Sequence, residues 1–307
     1  MHAIDAPSLL KKHLPLSEEL CARISVNRDT IRCILNHQDP RMLVVVGPCS
    51  IHDPIACQDY ALKLKTLATE VADVLYLVMR VYVEKPRTNL GWKGYLNDPF
   101  LNETYCIHEG IRSTRQLMID LNTLGLPIAS EILNPFSYLY FQDLLSWGAI
   151  GARTVESQPH REVAASLEFP VGMKNTTSGN INIAIDSLLF SSHPQAFIGL
   201  TEAGLIDVIH ASGNPDTHLV LRGGHGTNYQ KSAIQYAEAL LDSHHLPHRL
   251  LIDCSHGNSS KNHASQAIVL QDILAQKTAG NTSIIGFMLK SFLEAGHQPL
   301  NAHRPLR

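Results

Sequence analysis

Residues 42–54 read MLVVVGPCSIHDP, a continuous apolar run that changes abruptly into a polar loop. Residues 59–74, DYALKLKTLATEVADV, follow with the apolar spacing of an amphipathic helix. A strand without polar alternation is typical of a parallel sheet that is covered by helices. The segment therefore predicts a buried strand, a loop and a helix packed against the sheet.

The same unit recurs along the chain. Further apolar runs, each a predicted strand, occupy residues 76–82, 127–132, 149–153, 170–174, 218–223, 249–253 and 283–290, and further helical patterns occupy 111–124, 136–147 and 228–243. Eight strands that alternate with helices favour a closed α/β barrel, the (β/α)₈ TIM barrel, over an open sheet. We expect residues 1–38, with a helix near 17–37, to form an N-terminal extension, and residues 39–307 to form the barrel domain.

The last predicted strand is followed by SFLEAGHQPLNAHRPLR, residues 291–307, whose proline- and histidine-rich end is a poor helix former. The sequence therefore predicts a barrel without its last helix. The outer face of the last strand would then be exposed, unless residues 291–307 fold back over it or another subunit covers it. A homo-oligomer is the expected outcome.

The composition excludes several classes of protein. The chain has 307 residues, is 44% hydrophobic and carries a formal net charge of -3, so the basic excess of a nucleic-acid-binding protein is missing. No apolar stretch is long enough to span a membrane, and the N-terminus does not resemble a signal peptide. The six cysteines are scattered, which is typical of a reduced, cytoplasmic protein. We expect a soluble cytoplasmic protein with no nucleic-acid or membrane partner.

Basic residues gather where the predicted strands end. They are Arg80, Lys85, Arg87, Lys93, Arg153, Lys174 and Arg222, in or just after four different strands. The carboxyl ends of barrel strands share one mouth, which is where barrel enzymes have their active sites. Clustered cations are costly unless anions lie between them, and guanidinium groups suit phosphate and carboxylate oxygens. This pattern predicts a site for a doubly anionic substrate or for two anionic substrates; pairing with acidic neighbours is the alternative.

Cys49 and His256 also lie in strand-end loops. A thiolate and an imidazole are two of the ligands that a divalent metal ion prefers. Inert packing of the cysteine is the alternative. The residues by themselves thus leave half of a metal site as a hypothesis.

Seven motifs together carry a resemblance to a known family. They are GPCSIHDP (47–54), MRVYVEKPRTNLGWKG (79–94), NDP (97–99), GAIGARTVESQPHRE (148–162), VGMKNTTSGN (171–180), LRGG (221–224) and IDCSHGNSSK (252–261). From about residue 39 to 300 the chain resembles the type I microbial 3-deoxy-D-arabino-heptulosonate 7-phosphate (DAHP) synthases. The related octulosonate 8-phosphate synthases share fold and chemistry, but KPRT followed by GWKG favours the heptulosonate enzymes.

The resemblance implies a reaction, the condensation of phosphoenolpyruvate with erythrose 4-phosphate at the start of the shikimate pathway to aromatic amino acids. It implies that phosphoenolpyruvate is held by Arg80, Lys85, Arg153, Lys174 and Arg222, and the sugar phosphate by Lys85, Pro86, Arg87 and Thr88. It assigns catalytic roles to Lys85, Arg87 and His256. It further implies a divalent metal such as manganese or iron, with Cys49 and His256 as ligands, which polarises the aldehyde.

The chain departs from the family at the implied metal site. Lys290 stands where the family has a glutamate ligand, and the aspartate ligand of the family's final loop has no counterpart here. An ammonium in place of a carboxylate removes attraction for a divalent cation, so metal binding is expected to be weakened or lost. Two hypotheses follow: a DAHP synthase, or an impaired or inactive relative that binds phosphoenolpyruvate or pairs with an active paralogue. Thr176 is a second departure, and it strains its loop if the glycine usual there has a positive φ.

Overall fold

A computed structural model describes residues 4–296, and a closed barrel of parallel strands is its central element. The barrel strands are β1 (Met42–Gly47), β2 (Leu75–Arg80), β3 (Ile128–Glu131), β4 (Trp147–Ile150), β5 (Val171–Lys174), β8 (Thr217–Leu221), β9 (Leu250–Asp253) and β10 (Ile284–Lys290). β1 pairs with both β2 and β10, which closes the ring. The predicted eight-stranded (β/α)₈ barrel is confirmed.

Helices cover the outside of the barrel. The described α-helices are α1 (Pro7–His13), α2 (Glu18–Leu35), α3 (Pro54–Glu70), α4 (Ile107–Thr123), α5 (Gln158–Ser166), α6 (Asn182–Ser192), α7 (Lys231–Ser243) and α8 (Gln266–Thr278). The start of α3 shows why the first loop ends where it does, since the Asp53 carboxylate accepts from the Ile55 N–H at 2.8 Å and Pro54 occupies the first turn. Among residues 4–296 no helix combines the length and the apolarity that crossing a membrane requires.

The predicted helix over residues 136–147 is wrong. The segment forms two short 3₁₀ helices, Ser137–Tyr140 and Gln142–Leu144, and Trp147 already belongs to β4. The Asn134 carboxamide accepts from the backbone N–H groups of Phe136 and Ser137, which favours a tight turn at the start of the segment. All four residues of Ser137–Tyr140 are buried, whereas a helix on the outside of a barrel needs a polar face.

A β-hairpin that the sequence analysis missed lies between α6 and β8. Its strands are β6 (Gln195–Leu200) and β7 (Ile206–Ala211), paired antiparallel outside the barrel. Gly204 in the connecting turn has a φ of 78°, a conformation that favours glycine. Ile198 faces Val208 across the pair, and both side chains are more than half exposed, as is Ile206 on the same face.

The N-terminal segment closes the amino end of the barrel. α2 contributes Ile31, Ile34 and Leu35 to a cluster of buried residues that also contains strand residues such as Val45 and Trp147. These three helix side chains are at most 2% exposed. The predicted helix near 17–37 therefore forms and packs into the barrel instead of standing apart from it.

The predicted absence of a last barrel helix can be compared with the structure up to residue 296. Residues 291–296, after β10, contain no helix, and residues 297–307 lie outside the described residues. The predicted exposed patch on the last strand is not found, because Ile284, Ile285, Phe287 and Met288 are all buried. Phe292 packs against the Tyr60 ring of α3 at 5.6 Å between centroids.

Candidate active site

A cavity of about 320 Å³ opens at the carboxyl ends of the barrel strands. Its walls contain most of the residues that the sequence analysis singled out: Cys49, Arg80, Lys85, Pro86, Arg87, Thr88, Arg153, Lys174 and His256. These residues come from strands or loops far apart in the sequence, and the closed barrel brings them to one mouth. Lys93 and Arg222 do not line the cavity.

Three of the cations at the mouth are buried. Arg80 is 2%, Lys174 3% and Arg222 8% exposed, although charged side chains are seldom buried without a partner. Arg80 ends β2, donates from Nε to the Pro48 carbonyl at 3.3 Å, and lies 3.9 Å above the centroid of the Tyr82 ring. A cation over an aromatic face is stabilised by the ring quadrupole, which fixes the guanidinium without neutralising it.

Carboxylate partners are scarce at this mouth. Lys174 Nζ lies 3.7 Å from Asp253 Oδ2. Within the described part of the chain, no carboxylate lies within 4 Å of the charged groups of Arg80, Lys85, Arg87, Arg153 or Arg222. Desolvation lowers the pKa of Lys174, and the Asp253 carboxylate opposes that shift. The alternative of rim charges paired with acidic neighbours therefore does not describe this cluster.

The loop after β2 brings the next group of cations to the cavity. It folds back on itself, because the Lys85 N–H donates to the Lys93 carbonyl at 2.9 Å. Gly94 has a φ of 115°, and a Cβ there would lie 2.4 Å from the Val83 carbonyl oxygen, so the loop requires glycine. Arg87 Nε donates to the Trp92 carbonyl at 2.7 Å. Lys93 thus closes the loop through its backbone.

A hydrogen bond joins this loop to the loop after β4. Arg153 Nε donates to the Thr88 hydroxyl at 2.8 Å, and both residues are exposed at the rim. The rest of the Arg153 guanidinium has no hydrogen-bond or ion-pair partner among the described residues and remains available to an anion in the cavity. The contact places an arginine expected to hold one substrate beside a threonine expected to hold the other.

Asparagine side chains, which the sequence analysis missed, fix the ends of β5, β8 and β9. Asn175 Oδ1 accepts from the Arg222 N–H at 2.8 Å and from Asn228 Nδ2 at 3.1 Å. Asn258 Nδ2 donates to the carbonyls of Leu221 and Asp253. Arg222 is buried, and desolvation lowers its pKa; the Asp253 carboxylate opposes that shift, and the charge of Arg153 adds to it. Neutral side chains therefore fix the backbone of Arg222, whose guanidinium has no carboxylate within 4 Å among the described residues.

His256 and Asp253 form a hydrogen-bonded pair under the cavity. The His256 Nδ1 to Asp253 Oδ2 distance is 2.8 Å, and Ser255 Oγ donates to the other carboxylate oxygen. Desolvation would raise the pKa of Asp253, but His256 and Lys174 hold it well below its usual value. Desolvation lowers the pKa of His256, so the ring is neutral. An ionised carboxylate only accepts, so Nδ1 carries the proton and Nε2 presents a lone pair.

The backbone at His256 adopts an unusual conformation. Its φ is 55°, a left-handed conformation that non-glycine residues seldom adopt. Such conformations cluster at functional sites, where the surrounding structure holds them in place.

Thr176, in contrast, is not among the residues with positive φ, so the expected strain in the loop after β5 is not found. Its hydroxyl instead accepts from the Asn180 N–H at 3.0 Å and closes a turn.

Cys49, His256 and Lys290 are poorly suited to a divalent cation. Cys49 Sγ accepts a hydrogen bond from Lys85 Nζ at 3.7 Å. Desolvation raises the pKa of the Cys49 thiol, but Lys290, Lys85 and Arg80 lower it by more. No group of three or more His, Cys, Asp or Glu side chains among residues 4–296 is arranged to hold a metal ion, and Glu294 is exposed. The two predicted ligands are present, but ammonium groups lie around them where further anionic ligands would be needed.

Three cavity residues had no role in the sequence analysis. Glu131 ends β3 and is 8% exposed, Glu84 accepts from the Ser137 hydroxyl at 2.7 Å, and the buried Tyr82 hydroxyl has no hydrogen-bond partner among the described residues. The strand-end position of Glu131 was visible in the sequence. The Tyr82 hydroxyl could not be singled out, because only the folded barrel decides whether a tyrosine finds a partner.

A larger cavity, of about 590 Å³, lies elsewhere, beside α2. Two of its cations are paired with carboxylates: Lys11 binds Glu202, and Arg115, which is 1% exposed in its side chain, binds Asp143 at 2.8 Å. The third, Arg28, donates to the Leu145 and Gln142 carbonyls. The smaller cavity at the barrel mouth is lined by more cations that have no carboxylate partner among the described residues, which favours it as the site of an anionic ligand.

A (β/α)₈ barrel whose strand ends surround a cavity with unpaired cations belongs to the class of barrel enzymes that act on phosphorylated or carboxylated substrates. Comparison with known proteins defines the family. The model of the DAHP synthetase I family matches residues 22–307, and the chain belongs to this family.

Curated relatives and a solved structure agree with that assignment. The chain is 48% identical over 95% of its length to a tyrosine-inhibited phospho-2-dehydro-3-deoxyheptonate aldolase of Schizosaccharomyces pombe, of which it covers 78%. It is 46% identical, also over 95% of its length, to the Tyr-sensitive enzyme of Escherichia coli K12, of which it covers 82%. A structure of the aldolase from Francisella tularensis SCHU S4 superimposes with a TM-score of 0.96 at 40% identity, covering all of this chain and 90% of that one. The family is generally metal-dependent.

Proposed function

We propose that this chain is a DAHP synthase, a transferase that condenses phosphoenolpyruvate with erythrose 4-phosphate. The observation that carries the proposal is the set of cations around one cavity of about 320 Å³, of which Arg80, Lys85, Arg87 and Arg153 have no carboxylate within 4 Å among the described residues. Phosphoenolpyruvate brings a phosphate and a carboxylate, and erythrose 4-phosphate brings a second phosphate. These anions supply the negative charge that the empty mouth requires. Membership of the family fixes the same reaction class.

The two substrates divide the cavity between them. In the proposed arrangement, Arg80, Lys174 and Arg222 hold the phosphate and carboxylate of phosphoenolpyruvate at the inner end, where burial strengthens charge-assisted hydrogen bonds, and Arg153 reaches it from the rim. Lys85, Pro86, Arg87 and Thr88 meet the sugar phosphate at the exposed rim. Lys85 lies between the two groups and can serve both. The Arg153 to Thr88 hydrogen bond holds the two halves of the site in register.

The reaction joins the C3 carbon of phosphoenolpyruvate to the aldehyde carbon of the sugar. Water then adds to C2, and phosphate departs from the same carbon to leave a ketone. Neither step requires a protein nucleophile, so the rate comes from holding two mutually repelling anions in contact and from stabilising the charge that develops on the aldehyde oxygen. Neutral His256, oriented by Asp253, offers its Nε2 lone pair to the attacking water.

The direct test is a coupled measurement. Purified protein is mixed with phosphoenolpyruvate and erythrose 4-phosphate, the loss of the enol absorbance is followed, and the seven-carbon product is identified by mass. Consumption that requires both substrates is the expected result. Consumption of phosphoenolpyruvate without a seven-carbon product, or none with either metal-free or manganese-supplemented protein, would contradict the proposed function.

The anion site has a test that does not depend on turnover. Arg153→Ala should weaken calorimetric binding of phosphoenolpyruvate by about 2 kcal/mol, the scale of a charge-assisted contact. The matched control is Arg112→Ala, because Arg112 is exposed on α4 with one 3.9 Å ion pair far from the mouth. Equal binding by both variants would remove Arg153 from the site.

The second hypothesis, a relative without turnover, is not favoured. It rested on Lys290 and on the missing carboxylate ligands, whereas the relatives at 44–48% identity are named as aldolases. A cytoplasmic location stays a prediction. So does the homo-oligomer, which the exposed apolar face of the β6–β7 hairpin supports, with Ile198 and Ile206 each 79% exposed. Sedimentation of the wild-type chain and of Ile198→Thr tests it, since the substitution should shift an oligomer toward smaller species.

A further inference from the structure

Lys290 occupies a fixed position between Cys49 and His256. The register of the barrel pairs it with Gly47 of β1, two residues before Cys49. Gln266 of α8 holds its backbone from both sides, accepting from the Lys290 N–H at 2.8 Å and donating to the Lys290 carbonyl at 3.0 Å. The Lys290 side chain therefore extends from a backbone position that two hydrogen bonds fix.

The ammonium of Lys290 is close enough to interact electrostatically with both Cys49 and His256. Cys49 follows β1 and His256 follows β9, the two strands on either side of β10, so a divalent cation held by both residues would lie beside Lys290. The Lys85 ammonium, 3.7 Å from Cys49 Sγ, adds a second positive charge beside it. A divalent cation placed there would be repelled by both ammonium groups and would meet two protein ligands from the described residues.

We propose that the Lys290 ammonium replaces the divalent cation, donating a hydrogen bond to the aldehyde oxygen of erythrose 4-phosphate and stabilising the charge that develops there. The inference rests on the proposed function and adds to it a metal-independent mode of catalysis. Lys290 is then a catalytic residue that touches the reacting oxygen. A preorganised, partly buried ammonium beside Cys49 and His256, two residues that line the cavity, supplies this stabilisation without moving during the reaction.

The atoms balance without any further reactant. The C3 carbon of phosphoenolpyruvate forms a bond to the aldehyde carbon, and the electron pair of the C=O π bond moves to the aldehyde oxygen. The water that adds to C2 releases one proton, which completes the new hydroxyl group, while Lys290 stays charged. The C2–O bond to phosphate then breaks, the phosphate leaves with the electron pair, and the remaining hydroxyl proton is lost as the ketone forms. Phosphoenolpyruvate, erythrose 4-phosphate and water give DAHP and inorganic phosphate.

The test measures metal content and turnover separately. Full-length wild-type protein is treated with EDTA, desalted into metal-free buffer and then titrated with Mn²⁺, with free Mn²⁺ followed by electron paramagnetic resonance. Well under one ion should bind per chain, and the rate of product formation should be the same with and without Mn²⁺. One tightly bound ion per chain together with turnover that EDTA abolishes would overturn the inference and leave the proposed function standing, with His297 or His303 as candidate ligands.

Two substitutions separate a catalytic lysine from a structural one. Lys290→Gln should lower kcat about 100-fold, the scale of losing one preorganised donor, while calorimetric phosphoenolpyruvate affinity stays nearly unchanged. Lys290→Glu should lose turnover in metal-free buffer and gain measurable Mn²⁺ binding. Lys63→Gln, on the exposed face of α3, is the matched control. A Lys290→Gln variant with wild-type kcat would overturn the inference.

A failure of the proposed function looks different from a failure of the inference. If wild-type protein binds phosphoenolpyruvate yet forms no product with or without Mn²⁺, the synthase activity itself is refuted, and the role of Lys290 falls with it. Turnover that depends on Mn²⁺ refutes the role of Lys290 alone.

Discussion

The two ends of the barrel are equally buried and chemically opposite. At the amino end, Ile31, Ile34 and Leu35 of α2 pack into the strands at 2% exposure or less. At the carboxyl end, Arg80 is as buried, at 2% exposure, but carries a positive charge with no carboxylate within 4 Å among the described residues. Burying apolar surface stabilises the fold, whereas burying a charge without a partner opposes it. The amino end therefore stabilises the barrel, whereas the carboxyl end lowers its stability because it forms an anion site.

Arg80→Met separates these two contributions most sharply. We expect kcat/KM to fall about 1,000-fold, or ~4 kcal/mol, because a desolvated cation that faces the substrate charge is lost. The free energy of unfolding should stay equal or rise, because the described residues place no carboxylate within salt-bridge distance of Arg80. Steady-state kinetics and urea unfolding measure both quantities. A variant that loses stability along with activity would show that Arg80 supports the fold.

Ile31→Ala tests the opposite end. The side chain is fully buried, so its truncation should cost about 3 kcal/mol of unfolding free energy, the usual range for a core cavity. Activity per folded molecule should not change. Val26→Ala on the same helix is the control, since Val26 is 62% exposed and its loss should be nearly neutral. A specific activity that falls with Ile31→Ala would mean that the two ends are coupled.

Asp253→Asn probes the carboxylate beneath the cavity. Its folded pKa lies below the unfolded value, so its ionised form stabilises the fold above about pH 4 and that contribution is lost as the pH falls further. The variant should lose about 2 kcal/mol at pH 7, because the His256 and Lys174 contacts lose their charge partner. Below pH 4 the two stability curves should converge. Parallel curves down to pH 2 would contradict the assignment.

His218, at the apolar end, has an effect that is absent at pH 7 and grows as the pH falls. It is 1% exposed and accepts from Trp147 Nε1 at 3.0 Å, and burial lowers its pKa to about 4. The neutral form is favoured in the folded state, so stability is complete above the unfolded pKa near 6.5 and falls by about 1.4 kcal/mol per pH unit between there and pH 4. His218→Gln keeps an acceptor for Trp147 and should remove this slope. Urea unfolding of both proteins at pH 7 and pH 5 decides the matter.

The errors of the sequence analysis fall where local pattern and tertiary packing disagree. Residues 136–147 have helix-like apolar spacing, but the short path between β3 and β4 buries all of Ser137–Tyr140 and favours 3₁₀ turns. The β6–β7 hairpin was missed because strands were predicted from continuous apolar runs that indicate burial, whereas Ile198 and Val208 are exposed. A strand outside the barrel does not carry the signal of a strand inside it.

The sequence by itself determined the barrel, its eight strands and the positions of the cations. Strands and helices that alternate bring the strand carboxyl ends to one side, so Arg80, Lys174 and Arg222 had to lie near one another wherever the loops ran. Only the tertiary structure decided which groups touch. The Arg153 bond to Thr88, the Asn175 bond to Arg222 and the place of Lys290 between Cys49 and His256 depend on strand register and loop path. Distances of a few ångströms between residues far apart in the chain follow from closing the barrel, which no local pattern encodes.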